Sequence, residues 1–229
     1  MATESALTRT MVVWCPDWPV VAAAGETEVG DKPVAVIDKG QVFACSASAR
    51  LEGVRRGQRT REAQSRCPDL VVLAYDPLIT ARAFEPVLSA IEAIVPGVEL
   101  IRPGTCALRT RGPSRYFGSE RQAAEEVSRR LRGLDLPDHR LTTPRFGVAD
   151  GPFAAEQAAR ATRPDEPVTI VTEGQSSRFL SGLPVSVLEQ PDLAGLLTRL
   201  GLTTLGDFAS LSSTDVLSRF GPVGAHAHR

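Results

Sequence analysis

The sequence has few of the residues that bind metals or form cross-links. Its 229 residues include four cysteines and three histidines. The cysteines are scattered, with no CxxC pair, which argues against a zinc site and against a disulfide framework. We therefore predict small buried thiols at Cys15, Cys45, Cys67 and Cys106. His226 and His228 lie at the end of the chain, where fraying is expected, so we predict no metal site there.

Long apolar runs and targeting signals are also missing. No stretch approaches the roughly 18 consecutive apolar residues that span a bilayer. The first ten residues, MATESALTRT, lack the basic region and apolar core that direct secretion. We therefore expect a cytoplasmic protein with no membrane partner.

An excess of charge of either sign is absent as well. Lys and Arg total 26 against 27 Asp and Glu, a formal charge of −1, so the whole chain has no general attraction to nucleic acid. Arginines cluster locally, at 50, 55, 56, 59, 61 and 66, and again at 129, 130 and 132. Such clusters either bind phosphate or form solvated surfaces, and the sequence leaves both readings open.

Hydrophobic periodicity predicts an α+β fold. Strands are predicted over 11–14, 32–37, 42–45, 70–73, 98–101, 106–110, 141–148 and 168–172, and helices over 20–24, 48–53, 60–66, 76–95, 119–131 and 152–161. A polar linker is expected at 173–177, followed by helices over 193–200, 204–210 and 213–220. We expect a ferredoxin-like sheet covered by helices on one face.

The order of short motifs adds a family resemblance. The motifs are KPVAV (32–36), AR (49–50), GV (53–54), Gly57, CPDL (67–70), FGVA (146–149), RP (163–164), FL (179–180), LPV (183–185) and LGLTTLGD (200–207). Together they resemble the Y-family DNA polymerases of the DinB/UmuC-like type. That resemblance implies a palm at 1–24 and 75–172, fingers at 25–74 and a truncated helical thumb at 173–229, with the little-finger domain absent.

The acidic motifs of that family are not matched. Its polymerases transfer a nucleotide with two Mg²⁺ ions held by carboxylates. Trp14 and Pro16 stand where the first motif has its aspartates, and Gly104 and Thr105 stand within the second. The resemblance therefore implies a chain that is not an enzyme, with no catalytic residue, no metal ligand and no cofactor. The nearest carboxylates are Asp17 and Glu99.

Residues that face the nucleotide and the DNA in the family differ too. Ala47 replaces the fingers tyrosine, Pro19 the aromatic steric gate, and Pro152 the lysine of an Asn-Lys turn. Residues 188–190 (LEQ) replace a Gly-x-Gly turn whose N–H groups bind the DNA backbone. These differences imply poor triphosphate binding and weak or indirect DNA binding.

Three arginines remain as candidate nucleotide or DNA contacts: Arg50, Arg55 and Arg56. The alternative for Arg50 is an ion pair on the surface with Glu52 or Glu62.

The pattern of matches and mismatches is most similar to the ImuB group of Y-family-like proteins. The resemblance implies a non-catalytic adaptor in DNA damage tolerance and induced (SOS) mutagenesis, where a separate error-prone polymerase performs translesion synthesis. Its implied partners are a RecA-like accessory protein, a C-family DNA polymerase and the sliding clamp, although we find no clamp-binding peptide in this chain. Two alternatives stay open: an active translesion polymerase in which Asp17 and Glu99 converge on a metal, and an unrelated ferredoxin-like interaction module. The last would place residues 25–74 in the palm core.

Overall fold

The computed structural model describes residues 8–25, 27, 29–134, 143–163 and 165–229. Its strands are β1 (Arg9–Trp14), β2 (Val34–Asp38), β3 (Gln41–Cys45), β4 (Val71–Ala74), β5 (Glu99–Arg102), β6 (Thr105–Arg109), β7 (Arg145–Asp150) and β8 (Val168–Ile170). Its α-helices are α1 (Trp18–Ala24), α2 (Ala47–Leu51), α3 (Thr60–Arg66), α4 (Pro77–Glu92), α5 (Arg111–Phe117), α6 (Glu120–Arg132), α7 (Pro152–Arg160), α8 (Ser176–Ser181), α9 (Pro191–Arg199), α10 (Leu205–Ala209) and α11 (Ser213–His228). A 3-10 helix covers Val185–Leu188.

The main sheet has five strands in the order β5-β6-β1-β7-β8. Its central strand, β1, is antiparallel to β6 and β7, whereas β7 and β8 are parallel. Side chains that alternate along β1, such as Met11 and Val13, face a core formed with α1, α4 and α6. Phe84 of α4 and Val127 of α6 are fully buried in that core. This arrangement confirms the predicted α+β class.

Helices cover both faces of this sheet, so the expectation of one covered face was wrong. Val12 and Ala149 point to the second face, where they pack against the alanines of α7. The close approach depends on Gly147, because a Cβ there would lie 2.0 Å from the carbonyl oxygen of Ala155. Alanine periodicity predicted the helix, but it did not indicate which face of the sheet the helix would cover.

A second sheet, in the order β3-β2-β4, forms a separate unit. Ala35, Val42, Ala49 and Ala63 are buried in a core of their own with α2 and α3. A smaller apolar cluster, which includes Val20 of α1 and Val36 of β2, joins this unit to the palm. Residues 25–74 therefore do not enter the palm core, contrary to the unrelated-module alternative. The domain boundaries themselves stay predictions.

The C-terminal part is helical, as predicted, with a core around Val185, Leu197 and Phe208. The short helix α5 was not predicted, and α8 begins at Ser176, inside the expected polar linker. The expected fraying of His226 and His228 also differs from the structure, which places both in α11 beyond a kink at Gly221.

Several smaller predictions have an outcome as well. All four cysteines are free and buried, as predicted. None of the helices in the described ranges is long and apolar enough to cross a membrane. The start of the strand predicted over 141–148 and Pro164 of the RP motif lie outside the described residues.

Candidate functional site in the interdomain cleft

A cleft of about 480 Å³ opens beyond the end of β1, between the palm, the fingers and the thumb. Palm residues Trp14 and Thr105 lie in it, together with Arg55 of the fingers and Glu189 of the thumb. Because β1 and β6 are neighbours, Trp14 is directly opposite Thr105. The resemblance assigns these two positions to the acidic motifs of the family. The fold therefore brings the two motif positions side by side, but they carry the indole of Trp14 and the hydroxyl of Thr105.

The turn between β5 and β6 closes the floor of the cleft. The Cys15 N–H donates a 2.8 Å hydrogen bond to the carbonyl of Gly104, which has φ +88°. A Cβ at position 104 would lie 2.4 Å from Cβ of Trp18. Trp18 is itself fixed, since its indole N–H donates to the Thr80 carbonyl at 3.0 Å and its ring packs edge-on against Phe84. An aspartate at 104 therefore has no room.

Asp17 is held by Arg50 on the fingers side of the cleft. The two guanidinium nitrogens donate to the two carboxylate oxygens, both at 2.7 Å, and one also donates to the Cys45 carbonyl at 2.6 Å. Asp17 adopts a left-handed conformation, with φ 55°, just before α1. The suggested partners of Arg50 were wrong, because its partner lies 33 residues away in the palm.

Arg55 and Arg56 complete the fingers wall. Arg55 donates to its own neighbour, the Val54 carbonyl, at 2.9 Å. The Arg56 guanidinium lies 5.2 Å from the ring centre of Phe43, which stacks on Tyr75 at 4.1 Å. All three arginines proposed as contacts line the cleft, and their binding to nucleotide or DNA stays a prediction.

On the thumb side, Glu156 of α7 binds two arginines. Its side chain is 12% exposed and pairs with Arg102 and, at 2.8 Å, with Arg160. Burial opposes ionisation of Glu156, but the hydrogen bonds and charges of Arg102 and Arg160 outweigh it and lower its pKa. Arg160 also binds Glu189 of the thumb at 2.8 Å.

The indole of Trp14 lies close to two cations. Arg145 and Arg160 each place their guanidinium 5.4 Å from its ring centre, which is within cation–π range. Sequence reasoning singled out Trp14 and Glu189 but missed Glu156 and the arginines at 102, 145 and 160. The only local signal was the spacing of Glu156 and Arg160, four residues apart on one helix face.

Pro152 and Glu99, which the sequence analysis named as candidate site positions, lie away from the interdomain cleft. Pro152 begins α7 at the far end of the sheet, and it lines a different hollow together with Glu99. Because α7 runs back toward the cleft, its last residue, Arg160, supplies a cation there. The alternative in which Asp17 and Glu99 converge on a metal is therefore not supported, since the two carboxylates line different hollows.

Two Mg²⁺ ions are the group that the fold family implies. The cleft is lined by two carboxylates, Asp17 and Glu189, and each is paired with an arginine. In the part of the chain that the structure describes, no group of three His, Cys, Asp or Glu residues could hold a metal. This donor set does not fit a pair of ions bridged by carboxylates.

Comparisons with known proteins identify relatives. A family model described as the impB/mucB/samB family matches residues 20–160. The DNA polymerase IV of Mannheimia succiniciproducens is 27% identical over 203 residues, which cover 85% of this chain and 55% of that protein. The DNA polymerase IV of Pseudomonas paraeruginosa is 30% identical over 194 residues, covering 81% and 52%. The chain thus spans about half the length of the curated relatives it matches.

Solved structures agree with the fold. DinB from Sulfolobus solfataricus superposes with a TM-score of 0.74 at 18% identity, covering 95% of this chain and 64% of that one. The insertion ternary complex of Dbh DNA polymerase gives a TM-score of 0.74 at 18% identity, covering 95% and 65%. These likenesses confirm the Y-family polymerase fold.

The comparisons contradict one prediction. We expected no enzyme, from Trp14, Pro16, Gly104 and Thr105, but the relatives that the chain matches are named as polymerases. At 27% identity, mismatches at four aligned positions do not demonstrate that activity has been lost.

Proposed function

Because the chain belongs to the impB/mucB/samB family, we propose that it works in DNA damage tolerance, where its cleft holds primer–template DNA and where it assists translesion synthesis by a separate error-prone polymerase. The proposal has two parts: binding of DNA phosphates by the cleft, and support of a partner polymerase. A cytoplasmic location belongs to the same proposal.

The lining of the cleft is the observation that carries the first part. Five arginines line it: Arg50, Arg55, Arg56, Arg102 and Arg160. They face two carboxylates of the lining, Asp17 and Glu189, and Glu156 pairs with Arg102 and Arg160 from α7. Five cations against three anions leave an excess of two positive charges. Guanidinium groups match phosphate oxygens in charge and in geometry. A chain with a net charge of −1 therefore concentrates positive charge where the fold forms its interdomain cleft.

The two carboxylates of the cleft join the domains that would surround DNA, because Asp17 of the palm pairs with Arg50 of the fingers and Glu189 of the thumb pairs with Arg160 of the palm. The second part, support of a partner polymerase, rests on the family resemblance. The similarity to the ImuB group indicates the partners that we propose: a RecA-like accessory protein, a C-family DNA polymerase and the sliding clamp.

A second candidate is a translesion DNA polymerase in its own right. The names of the relatives favour it. It requires a set of ligands other than Asp17 with Glu99.

Reconstituted lesion bypass tests both candidates. A primed template with one abasic site is incubated with the chain, with the C-family polymerase of the same genome, or with both, in the presence of the clamp and the RecA-like protein. We expect the two together to give several-fold more bypass product than the polymerase alone. We expect the double variant Arg55→Glu/Arg56→Glu to lose this gain and to bind primer–template about tenfold more weakly.

The matched control is Arg61→Glu/Arg82→Glu, which changes the same charge at exposed positions outside the cleft. If it abolishes the gain equally, the cleft is not the DNA site. If the chain does not stimulate the polymerase, the assisting role is overturned. Extension of the primer by the chain alone would establish the second candidate.

A further inference from the structure

A second hollow lies on the palm, away from the interdomain cleft. It has a volume of about 630 Å³ and is formed mainly by residues 93–96, which follow α4, and by α5. We call it the α4–α5 groove. Ile94 and Pro96 line one wall, and Gly112, Tyr116 and Phe117 line the other.

The apolar part of the groove is open to solvent. The Tyr116 side chain is 83% exposed, although its ring is oriented by an edge-on contact with Phe117, with ring centres 4.8 Å apart. An exposed aromatic ring beside an apolar hollow is typical of a binding site for protein side chains. α5 has only seven residues and none of them is fully buried. Phe117 packs against the palm core, whereas Tyr116 is not part of that core, so the Tyr116 ring contributes little to folding.

The edge of the groove is positively charged. Arg109 lines it, and Arg111 and Arg115 lie on α5 next to the lining residues. All three are exposed, and none has an ion-pair partner among the residues that the structure describes. The single lining carboxylate, Glu126, is neutralised by Arg129. A complementary ligand is therefore acidic as well as apolar.

We propose that the α4–α5 groove binds an acidic segment of another protein, one that inserts aromatic or leucine side chains beside Tyr116. A second copy of this chain fits poorly, because a twofold interface through the groove would bring the same three arginines together. DNA fits poorly too, because a phosphate backbone gains nothing from the apolar hollow. The inference does not rest on the function proposed for the cleft.

Peptide display gives the first test. A library of random twelve-residue peptides is selected on the full chain, with counter-selection on the variant Arg111→Glu/Arg115→Glu/Tyr116→Ser. We expect the enriched peptides to carry net negative charge and at least one Phe, Trp or Leu. Absence of enrichment, or enrichment of neutral or basic peptides, overturns the proposal.

Binding of the most enriched peptide, labelled with fluorescein, gives the second test. We expect Tyr116→Ser alone and Arg111→Glu/Arg115→Glu each to weaken binding about tenfold. The control Leu78→Ser removes an exposed apolar side chain at the other end of α4 and should leave the affinity unchanged. Equal weakening by Leu78→Ser argues against the groove.

Two further measurements test whether a second copy of the chain or DNA occupies the groove instead. If the wild-type chain dimerises in sedimentation and Tyr116→Ser does not, a second copy occupies the groove and the proposal fails. If Arg111→Glu/Arg115→Glu weakens duplex DNA binding as strongly as peptide binding, the surface is a nucleic-acid site and the proposal fails.

Discussion

On the fingers side of the cleft a single carboxylate meets a single guanidinium, whereas on the thumb side two carboxylates share a network of arginines. The Asp17 and Arg50 side chains are 19% and 42% exposed, so their pair is partly screened by water. Glu156 is 12% exposed and pairs with Arg102 and Arg160, and of these two arginines Arg160 also pairs with the more exposed Glu189. The fingers side and the thumb side of the cleft therefore differ in how exposed the remaining arginines are after one carboxylate is removed.

This difference assigns different roles to the two sides. Removing Asp17 leaves Arg50 close to water, where it can be hydrated or can bind a phosphate. Removing the charge of Glu156 leaves the partly buried Arg102 without its ion-pair partner and leaves Arg160 with Glu189 alone. The network around Glu156 on the thumb side thus stabilises the fold, whereas the pair of Asp17 with Arg50 on the fingers side is more easily broken.

Glu156→Gln should have the largest effect on stability. We expect the free energy of unfolding to fall by about 2 kcal/mol, because two partly buried cations lose their common partner. Urea unfolding followed by tryptophan fluorescence measures it. The control Glu126→Gln removes a surface carboxylate from its pair with Arg129 and should cause no measurable loss. Equal losses in the two variants would mean that the thumb-side network does not stabilise the fold.

The pH dependence of the free energy of unfolding gives a second test of the contribution of Glu156. The folded protein holds the pKa of Glu156 below its ordinary value of 4.5. Its stabilising contribution is therefore complete above about pH 4.5 and is lost as the pH falls through the lower, folded pKa. We expect the stability difference between the wild type and Glu156→Gln to be constant from pH 7 to pH 5.5 and to shrink between pH 4.5 and pH 3. A difference that grows on acidification would contradict this.

The sequence predicts local features of this molecule better than the pairs in the cleft. The helix predictions over 76–95 and 119–131 differ by three residues or fewer at either end from α4 and α6, because Asp76 and Ser119 accept the N–H bonds that begin those helices. The pair of Asp17 with Arg50 depends on a left-handed backbone at residue 17 and on how the fingers sit on the palm. The spacing of residues in the sequence predicts neither the backbone conformation at residue 17 nor the position of the fingers on the palm.

The partner of Glu156 was missed for the same reason. Arg102 is 54 residues away in the chain, and the two meet only because α7 packs across the second face of the sheet. Once that face was assumed to be bare, the thumb-side network could not be predicted. The lack of carboxylates at Trp14 and Thr105 was correctly read from the sequence, but it did not justify the conclusion that the chain is not an enzyme.

Asp17→Asn should have a smaller effect on stability and a larger one on binding. Asparagine tolerates the left-handed backbone, so the variant removes charge with little strain, and we expect a loss of about 0.5–1 kcal/mol. Because Arg50 is released and one negative charge is removed, affinity for primer–template DNA should rise about threefold at low salt. Fluorescence anisotropy measures it, with Glu85→Gln, an exposed charge on α4, as the control. A loss of stability without a gain in affinity would show that Arg50 does not face phosphate.

Glu189→Gly should have the smallest effect on stability, because two changes oppose each other. Glu189 has φ 55°, a conformation that costs a glutamate about 1 kcal/mol and a glycine almost nothing. Its pair with Arg160 is half exposed and stabilises by a similar or smaller amount. We expect the free energy of unfolding in urea to change by no more than about 0.5 kcal/mol.

Glu189→Gln loses the ion pair with Arg160 but keeps a side chain in the left-handed conformation. It should therefore be less stable than Glu189→Gly. If the glutamine variant is as stable as the glycine variant, the backbone conformation at residue 189 is not strained.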